Sequence, residues 1–264
     1  MAQQERAVRT RNALIKSAAE LFCKDGFDVV SLSTISARAG VSNGALHFHF
    51  ASKAALASGV WEAAAQRLRR ITAEGRTRSD ANGTAATAGA AGTAGTAGAV
   101  GSTGSVGAAG AAGAVGSGGS LQVLVDTTHA LLRGLRHDVI LRAGFDLGES
   151  SVPVAAGADL RRRWQAWVEC VLAEAAREGA LARDVSPQDA AHAVVAATVG
   201  FGALGSRNAQ WLSQSMLTRF WALLLPRLAT EVALKGLVAS GRRDGVAGAN
   251  AVPPQFRVTA RSGA

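Results

Sequence analysis

Tyrosine is absent from the 264 residues, aromatic residues reach only 5 %, and there are two cysteines, two methionines and five prolines. Cys23 and Cys170 stand far apart with no C-x-x-C spacing, so neither a disulfide framework nor a zinc site is indicated. No run of 18 uncharged, strongly apolar residues occurs, and the first 30 residues carry nine charged side chains. That excludes a secretory h-region and a membrane span, and a soluble, cytoplasmic chain is expected. Alternation of period two is nowhere sustained, which argues against a sheet. Chemistry is equally scarce: no carboxylate pair, no Ser, His and Asp ordering, no G-x-G-x-x-G after a strand and no Walker lysine. His129, His137 and His192 are isolated. His47 and His49, two apart on a helix, point about 200° away from each other and cannot share a metal. No enzyme activity, cofactor or metal is expected.

What the chain does have is 48 % hydrophobic residues, 31 glycines and a formal charge of +9, with a pI near 11. From Gly83 to Ser120 the 38 residues are only Gly, Ala, Thr, Ser and Val, with Gly at every third position from Gly89 to Gly116. The period suggests collagen, but the stretch holds no proline, and a disordered insert is the simpler expectation. Elsewhere apolar residues recur with helical period. Helices are expected over 6–24, 54–73, 121–136, 159–178, 187–204 and 212–225, the last ending before Pro226. The expected organisation is an N-terminal domain over 1–53, a connecting helix over 54–80, the insert over 81–120, a C-terminal domain over 121–235, and a disordered tail over 236–264. The fold class is all-α: an N-terminal three-helix head with a helix-turn-helix, and a C-terminal helical body.

Ser31 to Phe50 reads SLSTISARAGVSNGALHFHF. Ile35 and Ala39 line a short first helix, Gly40 makes the turn, Val41 plugs it, and Ser42 is a natural N-cap for a second helix. A glycine suits position 40 because a tight turn between crossing helices needs positive φ. The second helix keeps Asn43, Gly44, Ala45 and His47 on its open side. Short side chains let its N-terminus approach a phosphate backbone, and Asn43 can reach a base edge. The first 56 residues hold seven Lys and Arg against four acids, and Lys53 follows the second helix closely enough to meet a phosphate.

These residues resemble the one-component TetR-type repressors. The matching pieces are Leu21-Phe22-x-x-x-Gly26-Phe27, then Ser31-x-x-x-Ile35-x-x-x-Ala39-Gly40-Val41-Ser42-x-Gly44-x-Leu46-x-Phe48-His49-Phe50, then Lys53-x-x-Leu56. The resemblance implies that Ser31, Thr34, Ser42, Asn43, Gly44, Ala45, His47, His49 and Lys53 lie at or near DNA. One departure is His47, where most members carry a Tyr that touches a phosphate. Ala45 to Phe50, with Phe48 before His49, is similar to the γ-butyrolactone autoregulator receptors of actinobacteria. So is the spacing of Trp164, Val171-Leu172, Ala175, Gly179-Ala180-Leu181, Asp184-Val185 and Gly200. That likeness implies a lactone pocket lined by Trp164, with Trp167, Val171 and Thr198 as further ligand candidates. Gly202 stands where a Gln is common.

Taken alone, a tryptophan on an apolar helical face is more often core than ligand wall, and the run Arg161 to Arg163 reads as a solvated face. The expected function is a homodimeric repressor on pseudo-palindromic, double-stranded operator DNA, released by a small hydrophobic signal and controlling secondary metabolism, with no membrane partner. Two other readings stay open. One is a receptor of the same fold answering to an antibiotic, furan or butenolide; the other is a ligand-blind, nonspecific DNA-binding protein.

Overall fold

The computed structural model describes residues 2–90, 119–147 and 159–242. Among them every named element is helical: α1 (Ala2–Asp25), α2 (Leu32–Ala39), α3 (Asn43–His49), α4 (Lys53–Ala90), α5 (Gly119–His137), α6 (Val139–Asp146), α7 (Leu160–Arg177), α8 (Pro187–Gly205), α9 (Gln214–Leu228) and the one-turn α10 (Glu231–Leu234). Their starts are written in side-chain oxygens. Ser31, Ser42, Asp138, Asp159, Ser186, Ser213 and Thr230 each accept from a backbone N–H in the first turn of the helix that follows, and Pro187 opens α8 where its missing donor costs nothing.

The head comprises α1 to α3 and the start of α4. Leu14, Ala18, Leu21 and Phe22 of α1 are buried as their spacing predicts, against Ile35 of α2 and Leu46 of α3. Complete burial of a Leu contributes about 2 kcal/mol, so Leu14, Leu46 and Leu56 together make this small head self-consistent. The same core continues into the body through Val60, Ala64 and Leu68 of α4. There α4 meets α6 so closely that Gly144 leaves no room for a side chain beside Ala64. In the body α5, α7, α8 and α9 bury Leu124, Leu131, Trp164, Leu172, Val194, Leu217 and Trp221. The Trp221 indole donates to Thr128 Oγ1 at 2.8 Å.

Four sequence expectations are corrected. The connecting helix, expected over 54–80, runs on to Ala90, so the first residues of the Gly/Ala segment extend α4; 91–118 lie outside the described residues. The helix over 139–146 was not foreseen, being two turns long and following α5 after a single residue, Asp138. The helix expected over 212–225 is a 3-10 turn (Ala209–Leu212) followed by α9, which carries Pro226 within its last turn. The start of the expected tail is ordered: Val238 N–H donates to Gln122 Oε1 at 2.8 Å, Arg242 N–H to Asp126 Oδ1 at 2.7 Å, and His129 Nε2 lies 3.0 Å from the Ala239 carbonyl. Residues 236–242 thus form a strap along α5, and 243–264 lie outside the described residues.

Candidate functional site

The turn between α2 and α3 has the geometry its glycine predicts. Gly40 sits at φ 68° and ψ 30°, its N–H donates to the Ala37 carbonyl at 3.1 Å, and the Val41 N–H donates to the Ser36 carbonyl at 3.0 Å. This pair of bonds closes a helix on a left-handed residue. Ser42 then caps α3, accepting from the Ala45 N–H at 3.2 Å. Leu46 is fully buried, while Ser42, Asn43, Gly44 and His47 are exposed and Ala45 and His49 half-exposed. An open helix N-terminus with short side chains therefore faces outward, as a DNA-reading element requires. Ser31 and Thr34 are exposed at the start of α2, their hydroxyls 2.8 Å apart.

Two candidates have intramolecular partners the sequence did not reveal. Asn43 Oδ1 and the buried Ser36 hydroxyl are hydrogen-bonded, and the same hydroxyl lies 3.0 Å from the Ser33 carbonyl. One hydroxyl proton serves only one acceptor at a time, so the Ser33 carbonyl and Asn43 Oδ1 compete for it. Lys53 donates to the Asp28 carbonyl at 3.0 Å and lies 4.5 Å from the Phe27 ring centroid, pinning α4 to the α1–α2 connection. An ammonium has three donors, so a phosphate contact remains available to it. Phe48, on the outer face of α3, is 83 % exposed with its ring edge-on to His49.

The body holds a narrow cavity of about 20 Å³ between α5, α6, α7 and α8. Its walls are Leu131, Leu135, Phe145, Trp164, Val199 and Leu212, with Gly202 and Thr198 on α8. Trp164 is fully buried and its indole N–H donates to Thr198 Oγ1 at 2.8 Å. Of the four ligand candidates, Trp164 and Thr198 line this cavity. Trp167 stacks on Trp164 with centroids 5.1 Å apart, outside the lining, and Val171 is buried in the core. A side chain at Gly202 would first meet Leu135, at 3.4 Å, so the glycine leaves the cavity wider than a Gln would.

Three charged residues complete the cavity: Arg142 and Asp146 on α6 and Arg161 on α7. Sequence reading missed the first two because α6 itself was not foreseen. In the arginine run, Arg162 and Arg163 are exposed as a solvated face requires, Arg163 lying over the Trp61 ring at 4.9 Å, whereas Arg161 lines the cavity. Asp146 reaches the head as well: the Cys23 thiol of α1 lies 3.7 Å from its Oδ2. Burial, reinforced by that carboxylate, pushes the Cys23 thiol up to about 12. No group of three or more His, Cys, Asp or Glu fit to hold a metal occurs among the described residues, and no described helix is long and apolar enough to cross a membrane.

A short exposed helix on a three-helix head, joined to a helical body with an internal cavity, is a helix-turn-helix architecture. Residues 14–60, the head of this chain, match the family model for bacterial regulatory proteins of the tetR family. Among curated proteins, the A-factor receptor protein of Streptomyces griseus is 44 % identical over 62 residues, which span 24 % of this chain and only 22 % of that protein. Among solved structures, a γ-butyrolactone receptor (ArpA-like protein) superposes with a TM-score of 0.64 at 24 % identity, covering 89 % of this chain and 96 % of its own. CprB of Streptomyces coelicolor, solved in complex with its biological operator sequence, superposes with a TM-score of 0.60 at 25 % identity over 87 % and 93 % of the two chains. The described fold is thus similar to that of these solved structures.

Proposed function

We propose that the protein is a homodimeric transcriptional repressor whose α3 reads pseudo-palindromic operator DNA and which a small hydrophobic signal releases. The observation that carries this reading is the double role of α6. Its Asp146 lines the cavity beside Trp164 and also faces Cys23 of the head, so whatever widens the cavity moves a helix that touches the DNA-binding domain. The cavity is narrow, with room for little more than water between its walls, so a ligand has to spread them. Release then requires a differential affinity of only about 1–3 kcal/mol between the two states.

Dimerisation is assigned to α8 and α9. Leu204 of α8 and Leu223 of α9 are 45 % and 80 % exposed, and α8 also leaves Ala196 exposed and Ala197 and Gly200 half-buried. Gly202 and Gly205 do not belong to that surface: the first lines the cavity and the second packs tightly on Leu212. Two heads related by a two-fold axis reach half-sites about 34–36 Å apart, or a multiple of that. The likeness to γ-butyrolactone receptors supports a lactone-type autoregulator and control of secondary metabolism. Gly202 favours a second reading within the same class, a receptor for a furan, butenolide or antibiotic.

The test is a gel-shift titration on the chain's own upstream DNA at fixed salt, with random duplex as competitor and a synthetic γ-butyrolactone added to the complex. Specific binding dissolved by the lactone supports the receptor reading. Binding that ignores it shifts the ligand to the second reading, and binding equal on random duplex rejects a repressor in favour of a nonspecific DNA-binding protein.

A further inference from the structure

In the cavity beside Trp164 the neutral donors are already engaged. The indole N–H goes to Thr198 Oγ1 at 2.8 Å, and the Thr198 hydroxyl has its own acceptor in the Val194 carbonyl at 2.9 Å. Leu131, Leu135, Phe145, Val199 and Leu212 offer no donor. The polar part of a ligand also meets a charged end, where two guanidinium groups with five donors each, Arg142 and Arg161, stand against one carboxylate, Asp146, among the described lining residues. Arg142 Nε is buried without a hydrogen-bond partner, an arrangement that an incoming acceptor relieves.

We propose that, if the cavity is the effector site, its ligand is an amphiphilic organic acid, with the alkyl part along Leu131, Leu135 and Phe145 and the carboxylate on Arg142 and Arg161. A guanidinium fork matches a carboxylate in shape and charge, whereas a neutral lactone or ester carbonyl accepts an ordinary hydrogen bond at best. The same contact provides a route to the head. Asp146 follows Arg142 by one helical turn, so a ligand carboxylate on Arg142 repels Asp146, whose Oδ2 lies 3.7 Å from Cys23 of α1.

The experiment uses the full chain and three probes of matched length: decanoic acid, methyl decanoate and γ-decalactone. Calorimetric titration at neutral pH is expected to show decanoate binding at least about tenfold tighter than the other two, the ratio that separates a charge-assisted from a neutral bond. Arg142→Gln is expected to abolish that preference. Arg161→Gln provides the second variant should the first fail to fold, and thermal denaturation shows which variants are folded. Decanoate that fails to bind, or binds no tighter than the lactone, overturns the proposal, as does a preference that survives in both folded variants. A parallel gel shift separates this from the repressor reading. Arginine-dependent acid binding that leaves operator binding untouched sinks the effector reading alone, whereas release by the lactone but not by the acid sinks the acid alone.

Discussion

The guanidinium of Arg163 on α7 lies over the indole of Trp61 on α4, 4.9 Å from the ring centroid, while the next residue, Trp164, forms a wall of the cavity. Adjacent residues on one helix thus hold the helix that carries the head and the chamber that would receive a ligand. A cation–π pair of this kind contributes about 0.5–1 kcal/mol at a partly exposed site. Arg163→Ala is expected to lower stability by about that amount and to leave operator affinity near the wild-type value. The ligand concentration needed for release should rise, because cavity and connecting helix are less firmly joined. A gel-shift release curve for the variant beside wild type checks this.

Thr198 has a different function, as the acceptor for a fully buried indole N–H. Thr198→Val keeps the volume and removes the acceptor, and an unsatisfied buried donor costs about 1–3 kcal/mol. Thermal denaturation should show a loss of that size. Thr198→Ser, which retains the hydroxyl, should recover much of it; if Ser and Val behave alike, the bond to Trp164 has no energetic weight.

The head was legible in the sequence almost residue by residue, for a physical reason. Its caps, its αL glycine and its apolar spacing act within a few residues of each other, so Ser31, Gly40, Ser42 and Leu46 announce their roles locally. Trp164 and Thr198 were legible through resemblance alone. The charged end of the cavity was not, because Arg142, Asp146 and Arg161 meet only after α6 and α7 pack. Nor was the internal bond of Asn43, since nothing in the spacing of Ser36 and Asn43 says that a helical turn brings them together. The strap over 236–242 was hidden for the same reason: a Gly- and Arg-rich sequence looks unstructured until Gln122, Asp126 and His129 hold its backbone.

Asn43 should separate base reading from phosphate contact. Its exposed amide sits at the first position of α3, braced by Ser36. Asn43→Ala is expected to cost about 1–3 kcal/mol on operator DNA and far less on random duplex, so that specificity falls more than total affinity. Lys53→Ala should weaken both duplexes alike and lessen the salt dependence. Competition titrations at two salt concentrations distinguish these outcomes, and an equal loss on both duplexes for Asn43→Ala would remove it from the base-reading set.

The two cysteines should differ sharply in reactivity. Cys170 is exposed, whereas the Cys23 thiol is pushed up to about 12 by burial and the nearby Asp146. The thiolate is the reactive form, so at pH 8 Cys23 is almost wholly protonated and inert. Brief iodoacetamide treatment followed by peptide mass spectrometry should find the label on Cys170 and not on Cys23. If ligand moves α6 away from α1, Cys23 labelling should rise when ligand is added, which would report the coupling directly.

His129 makes the strap sensitive to pH. Burial lowers its pKa from the usual 6.5 despite the Ala239 carbonyl and Asp126, which pull the other way, and Arg133 adds to the lowering. The unfolded chain therefore binds a proton near pH 6.5 that the folded chain still refuses. Where the unfolded state holds more protons, stability rises with pH, so this residue's contribution is complete above about pH 6.5 and declines as the solution is acidified below it. The other groups around the cleft beside it, Arg133, Arg136, His137 and Gln214, supply no carboxylate to reverse the sign. Urea unfolding at pH 5.5 and 7.5 should show a smaller difference for His129→Gln than for wild type, since glutamine can still donate to the Ala239 carbonyl but does not titrate. An unchanged difference would place the pH dependence in other groups and leave His129 a simple strap for the backbone of 236–242.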